Sequence, residues 1–311
     1  MPNDHRRGIF WALASALGIA AFVVPWKLAS NLGEARMSTL VLLVSAAVFT
    51  SILTAAQQRS FPAFRAFDLR IATALAVCTL FGNFASAKAI ELISPALLTV
   101  VQRGEVIIVA LLAWPLLGER IDWRFWVGTA VAGAGLLLLQ DPGGLAIDDG
   151  RDAGIAWGVL AASCFGSMVV ITRRYIFRID TVSVNALRLW LAVGLWFVWN
   201  GFPDSLFEIG IEQAGYAALA AFFGPFAGRL CMMTSSRYIE ARLTTLATLA
   251  APPLTVLVAY LILDDLPSLR EVQGGIIMLI GISIPILGMR RAHRRATAAA
   301  AASNASSRSE L

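Results

Sequence analysis

The run from Pro95 to Arg120, P-A-L-L-T-V-V-Q-R-G-E-V-I-I-V-A-L-L-A-W-P-L-L-G-E-R, limits what this chain can fold into more than any other stretch. It is apolar for long enough to cross a bilayer, because a helix rising 1.5 Å per residue spans the hydrocarbon core in about 20 residues. Yet its middle holds Gln102, Arg103, Gly104 and Glu105. Charge at that depth costs about 2.5–3.5 kcal/mol per residue on insertion scales. Such residues persist where they face a water-filled cavity, a bound ligand or one another. The stretch therefore asks for other helices around it.

The rest of the chain supplies them. Of its 311 residues 58% are hydrophobic and 14% charged, with a mean hydropathy of +0.72; soluble domains run near 25% charged. Hydropathy gives ten spans: Gly8–Lys27, Met37–Gln57, Leu69–Ala89, Ala96–Leu117, Trp123–Leu139, Gly154–Thr172, Val182–Trp199, Gln213–Ser235, Leu243–Leu263 and Val272–Met289. The connectors are too short for a soluble domain, so the fold class is an all-α integral membrane protein. The first span follows Arg6-Arg7 like a leader, but its kinship with the sixth, below, says it is retained. Cys78, Cys164 and Cys231 are an odd, scattered set and read as packing residues rather than a disulfide framework. His5 and His293 lie in the tails, and no ligand spacing for a metal exists. No cofactor and no metal are expected.

The basic balance, 25 Lys+Arg against 20 Asp+Glu, does not point to nucleic acid, because the excess sits in alternate loops. Lys and Arg total 17 on the side of both termini and 5 on the other, which places the termini in the cytoplasm. Three arginines, Arg103, Arg188 and Arg229, fall inside spans.

The spans repeat. At a shift of 146, Gly8, Trp11, Val23, Val24 and Lys27 fall on Gly154, Trp157, Val169, Val170 and Arg173. The same shift carries Gly82-Asn83 onto Gly228-Arg229, and Gly128 and Gly135 onto Gly274 and Gly281. At 149, Lys88-x-Ile90-Glu91 falls on Arg237-x-Ile239-Glu240, which reads as a local three-residue insertion. The unit has five spans. Five is odd, so the second copy enters the membrane from the opposite side. Two inverted copies around a midplane site is a recurrent transporter architecture. The chain thus divides into a first five-helix repeat over 1–140, a connecting loop over 141–153, a second repeat over 154–289 and a disordered basic tail over 290–311.

This pattern, with V-I-I-V-A-L-L-A-W-P-L-L-G-E-R, then W-V-G-T-A-V-A-G-A-G, and the weaker second copy P-P-L-T-V-L-V-A-Y-L-I-L-D-D, resembles the drug/metabolite transporter superfamily and its EamA-type exporters. Within it the chain looks most like YddG-type exporters of aromatic amino acids and methionine. The resemblance implies a bacterial inner-membrane exporter in which helices one, three, four, six, eight and nine line a central cavity. The chain departs from the family where Arg103-Gly104-Glu105 stands, since members often carry an apolar residue or proline there.

The candidate substrate contacts are the polar residues at depth. Helical spacing sets Gln102 and Glu105 about 60° apart on span four, with Arg103 on another face; contact with substrate and pairing with a neighbouring helix are both open to the two charges. Asn83 and Arg229 recur at one depth in the two halves. Phe84 and Trp190 can stack an aromatic substrate, and Met168 and Met232 can supply an adaptable wall; packing is the alternative for all four. Lys88 and Arg237 are candidate gates at opposite mouths. Arg188, near the end of span seven, is expected to snorkel to the interface. Three intramembrane arginines against Glu105 alone leave a surplus of +2, which suits a carboxylate or phosphate on the substrate. The sequence reads as an alternating-access exporter of amino acids and related metabolites, not an enzyme, acting as a monomer or weak dimer among membrane lipid. A sugar-phosphate or nucleotide-sugar antiporter and a multidrug pump are the other readings.

Overall fold

A computed structural model describes residues 2–57, 66–93, 95–119, 121–139, 151–202, 209–263, 268–270 and 272–287. The regular structure among them is helical, with no strand. That is what a lipid solvent requires, since a helix satisfies every backbone donor and acceptor within itself. The elements are α1 (Pro2–Asn31), α2 (Ala35–Gln57), α3 (Ala66–Leu92), α4 (Pro95–Arg103), α5 (Glu105–Leu117), α6 (Trp123–Leu139), α7 (Arg151–Tyr175), α8 (Thr181–Asn200) and α9 (Ile211–Ala221). A π-turn follows over Phe222–Gly228, then α10 (Arg229–Ser235), α11 (Ala241–Thr248), α12 (Ala251–Leu263) and α13 (Val272–Leu287). Eight of these stretches are long and apolar enough to cross a membrane, and α6 and α13 are shorter apolar helices. The connecting loop over 141–150 and the tail over 290–311 lie outside the described residues.

The inverted repeat is written into the closest contacts. A Cβ on Gly8 would meet Ile239 Cγ2 at 2.6 Å, and one on Gly154 would meet Ile93 Cγ2 at 2.5 Å. The shift of 146 carries Gly8 onto Gly154 and Ile93 onto Ile239, so the two contacts exchange. The same holds between α6 and α13. A Cβ on Gly128 would lie 2.6 Å from Gly281 O, and one on Gly135 2.7 Å from Gly274 O, so the two contacts exchange under the shift. Glycine is required there because the two backbones meet where a side chain would stand. The offset of 149 for Lys88 and Arg237 is corrected by these contacts. Ile93, not Ile90, is the counterpart of Ile239, so no insertion intervenes, and Lys88 and Arg237 are not equivalent positions.

Spans four and nine are broken at equivalent points, which the hydropathy pattern did not reveal. Gly104 N–H donates to Val101 O at 3.0 Å, and 146 residues later Ala250 N–H donates to Ala247 O at 3.1 Å. These tighter i→i−3 bonds end α4 and α11 at mid-span and let α5 and α12 start in a new direction. Gln102 and Glu105 therefore sit on two helices, and their 60° relation on a straight helix does not apply. In span eight, Pro225 lacks an N–H, and the π-turn around it absorbs the missing bond.

Candidate functional site

The two repeats enclose a cavity of about 470 Å³ between α2 and α3 of the first and α8 of the second. Its walls are Phe81, Phe84, Trp196 and Trp199, Arg36 and Lys88 are its charged lining residues, and Thr79 lies deepest. These depths follow from α3, in which Thr79 is the middle residue and Lys88 stands one turn from the end. The cavity thus opens toward the Lys88 face. Phe84 packs edge-on to Trp199 at 5.4 Å and to Trp157 at 5.9 Å, which fixes the wall. Asn83 donates through Nδ2 to Thr79 O at 2.8 Å. Of the sequence candidates, Asn83, Phe84 and Lys88 line this cavity. The resemblance pointed to helices one, three, four, six, eight and nine; this cavity shares only the third with that set and adds the second and seventh.

Arg188 lies directly behind Thr79, beneath the floor, and it does not snorkel. It is 3% exposed. Its Nη1 donates to Thr79 Oγ1 at 2.8 Å, and Nη2 and Nε donate to Asn185 Oδ1 at 2.9 and 3.2 Å. Asn185 is fully buried, and its Nδ2 lies 3.4 Å from Thr50 Oγ1 and 3.5 Å from Pro225 O. The network joins α3, α8, α2 and the π-turn. Snorkelling fails because α2 and α3 cover the turn of α8 that carries Arg188.

A second polar group lies where the broken helices meet α10. Glu105, first residue of α5, is within electrostatic range of Arg103, last residue of α4, and of Arg229, first residue of α10. Glu105 Cγ would lie 3.5 Å from a Cβ on Gly166, which seats it against α7. Arg229 Nη1 stands 3.6 Å from Met232 Sδ, while Arg229 Nε and Nη2 and Arg103 Nε are buried without a hydrogen-bond acceptor among the described residues. Gln102 Nε2 donates to Ser86 Oγ at 2.7 Å and ties α4 to α3. Met168 is packed in the core beside Leu75 and Val184. Trp190 is 45% exposed, lies outside the cavity lining, and donates to Ser51 Oγ at 3.0 Å. Trp190 stands apart from both polar groups, whereas Met168 Sδ lies 3.6 Å from Thr79 Oγ1 at the bottom of the cavity.

The opposite face is tied shut across the repeats. Gly118, at φ 70°, ends α5 and turns the chain so that Glu119 reaches the start of α11. Glu119 is 8% exposed; its carboxylate accepts from Ala241 N–H at 2.9 Å and Arg242 N–H at 3.5 Å, and stands 3.8 Å from Arg173 Nε. Arg173 Nη1 also donates to Ser236 O. Arg237 Nη2 donates to Thr181 Oγ1 at 2.7 Å, so the second candidate gate is engaged at this face. Burial pushes the Glu119 carboxyl above the ordinary carboxylate range, against the opposing pull of the Ala241 N–H. Glu119 closes the V-I-I-V-A-L-L-A-W-P-L-L-G-E-R run that carries the family resemblance, but no local signal says what it grips.

Comparison with known proteins agrees with this architecture. A solved structure, described only as the crystal structure of a protein, shares the fold with a TM-score of 0.77 over 91% of this chain and 98% of that one, at 18% identity. A probable terminal-alkyne amino-acid exporter from Streptantibioticus cattleyicolor is 28% identical over 189 residues. The match spans 58% of this chain and 61% of that relative's length. The model of the EamA-like transporter family matches twice, over residues 6–140 and 152–287, once for each five-helix copy. The chain belongs to the EamA-like transporter family, as a multi-pass membrane protein with two inverted copies of the repeat.

Proposed function

We propose that this transporter exports amino acids, aromatic ones and methionine among them, and related small metabolites by alternating access. The observation that carries the reading is the asymmetry of its two faces. A cavity between the repeats opens toward Lys88, while Glu119 joins the first copy to Ala241 and Arg173 of the second at the other face. Rocking one copy against the other exchanges these conditions. The 1–140 and 154–289 copies are the rocking units. The alternate-loop charge supports the Lys88 face as the outer one and the Glu119 face as cytoplasmic, which makes the described state open outward, and the family resemblance supports a bacterial inner membrane. Asn83 and Gln102 offer neutral polar contacts, and Arg229 and Arg103 with Glu105 offer charged ones. The aromatic walls and the amino-acid exporter among its relatives both support this substrate class. The surplus of intramembrane arginine keeps one other reading, an antiporter of phosphorylated sugars, and disfavours a pump for cationic drugs.

Reconstitution into liposomes tests this. Radiolabelled phenylalanine or methionine is expected to enter protein-containing vesicles, and a phosphorylated sugar is expected to drive no counterflow. Arg229→Ala and Asn83→Ala, at normal insertion, are expected to lower the initial rate by about tenfold or more, the worth of a charge-assisted or buried hydrogen bond. Wild-type flux in both variants removes these residues from the site, and sugar-phosphate counterflow replaces the amino-acid reading with the antiporter.

A further inference from the structure

The cavity between α2, α3 and α8 has a floor that neither the fold nor the relatives assign a task. Arg188 lies beneath Thr79, 3% exposed, and makes three hydrogen bonds, all to neutral oxygens of Thr79 and Asn185. A guanidinium carries five N–H donors, so two are without an acceptor among the described residues. Nor does any carboxylate there balance its charge. Glu105 is engaged electrostatically with Arg103 and Arg229, and the charged neighbour that acts on Arg188 is another cation, Arg229. A buried cation held by neutral groups alone is costly to keep, and it becomes favourable when an anion arrives. Above it the chemistry changes. Phe84, Trp196 and Trp199 form an apolar wall, and the charged side chains of the lining, Arg36 and Lys88, are both basic. Arg36 is in part offset by Glu34 at 3.3 Å.

We propose that Arg188, presented through Thr79, is the anion-recognising group of this cavity, and that its ligand is an amphipathic carboxylate with an aromatic or other apolar tail. The carboxylate goes to the floor at Thr79, and its charge is met by Arg188 directly behind. The tail lies along Phe84, Trp196 and Trp199. This deepens the transporter reading by assigning the specificity-determining residue. Thr79 donates its proton to Leu75 O at 2.7 Å, so its oxygen faces Arg188 as acceptor and keeps the guanidinium against the deepest lining residue.

The test uses the purified full chain in detergent and three probes on one phenylpropyl skeleton: 3-phenylpropionate, 3-phenyl-1-propanol and 3-phenylpropylamine. Calorimetric titration of wild type is expected to show the carboxylate bound about 10–100-fold more tightly than either other probe. Trp196→Ala is expected to weaken all three alike. Arg188→Met is expected to erase the preference while leaving the alcohol's affinity unchanged, and Arg188→Lys to restore part of it. Thr79→Val, expected to reduce the preference, serves as the readout if Arg188→Met does not insert. Equal binding of the three probes by wild type overturns the proposal, as does a preference that persists in folded Arg188→Met and Thr79→Val. Liposome flux separates the two claims. Carboxylate-selective binding without amino-acid transport leaves this site standing and removes the exporter reading, whereas amino-acid transport with no probe preference does the reverse.

Discussion

Glu119→Ala is expected to open the Glu119 face, raising the reactivity of a buried residue there by about fivefold or more. The carboxylate joins the end of α5 in one copy to the first N–H groups of α11 in the other. Removing it leaves Ala241 N–H without its acceptor and takes the anion away from Arg173. A buried N–H left without its acceptor costs about 1–3 kcal/mol, which is about 5–100-fold in a closed-to-open equilibrium. Ser236, 1% exposed, is a suitable reporter. With Cys78, Cys164 and Cys231 replaced by serine, Ser236→Cys is expected to react slowly with an impermeant maleimide and far faster once Glu119→Ala is added. Equal rates would show that Glu119 does not hold the face closed. The pH dependence follows from its raised pKa. The closed face binds the proton more tightly than an open face in water, so acidification through the range just above ordinary carboxylates favours closure, and rising pH releases it. Glu119→Ala is expected to abolish that dependence.

The second large effect is structural. Gly128→Leu is expected to destabilise the bundle by at least the upper end of the about 1–3 kcal/mol typical of overpacking. Its first side-chain carbon would fall 2.6 Å from Gly281 O, a backbone atom that cannot rotate away. α6 and α13 would have to separate, and the Gly135–Gly274 contact would be strained with them. Gly133→Leu on the same helix is the control, because a Cβ there meets nothing within 4 Å. Thermal unfolding in detergent is expected to show a lower midpoint for Gly128→Leu and none or little change for Gly133→Leu. Similar midpoints would mean that α6 and α13 do not meet through these glycines.

What the sequence made legible depended on whether the information was local. The ten helices could be read because lipid imposes a length and a polarity on each. The inversion could be read because an odd number of spans leaves no other outcome, and Gly8, Gly128 and their counterparts mark the contacts directly. The 149 offset misled because a short basic-x-Ile-Glu match looked like homology, while the packing of Ile93 and Ile239 sets the true register. The breaks at Gly104 and Leu249–Ala250 hid inside continuous apolar runs, where hydropathy has no term for a change from i→i−4 to i→i−3 bonding. Arg188 was misplaced because snorkelling is the rule for an isolated helix, and only its neighbours decide otherwise. Glu119 could not be read at all, since its partners are backbone groups 122 and 123 residues away. For Trp190 the composition suggested stacking, but the face it occupies meets Ser51 instead.

The most direct test of a midplane path exposed in turn to each side is a pair of distances measured at once in liposomes. Spin labels at Arg36 and Asn200 flank the cavity mouth across the two copies, and labels at Asp122 and Phe177 flank the opposite face. On adding a transported amino acid, electron–electron double resonance is expected to show the first distance shortening and the second lengthening in the same population of molecules. Two distances that stay fixed, or that grow and shrink together while the solute still crosses, would contradict reciprocal opening of the two inverted copies.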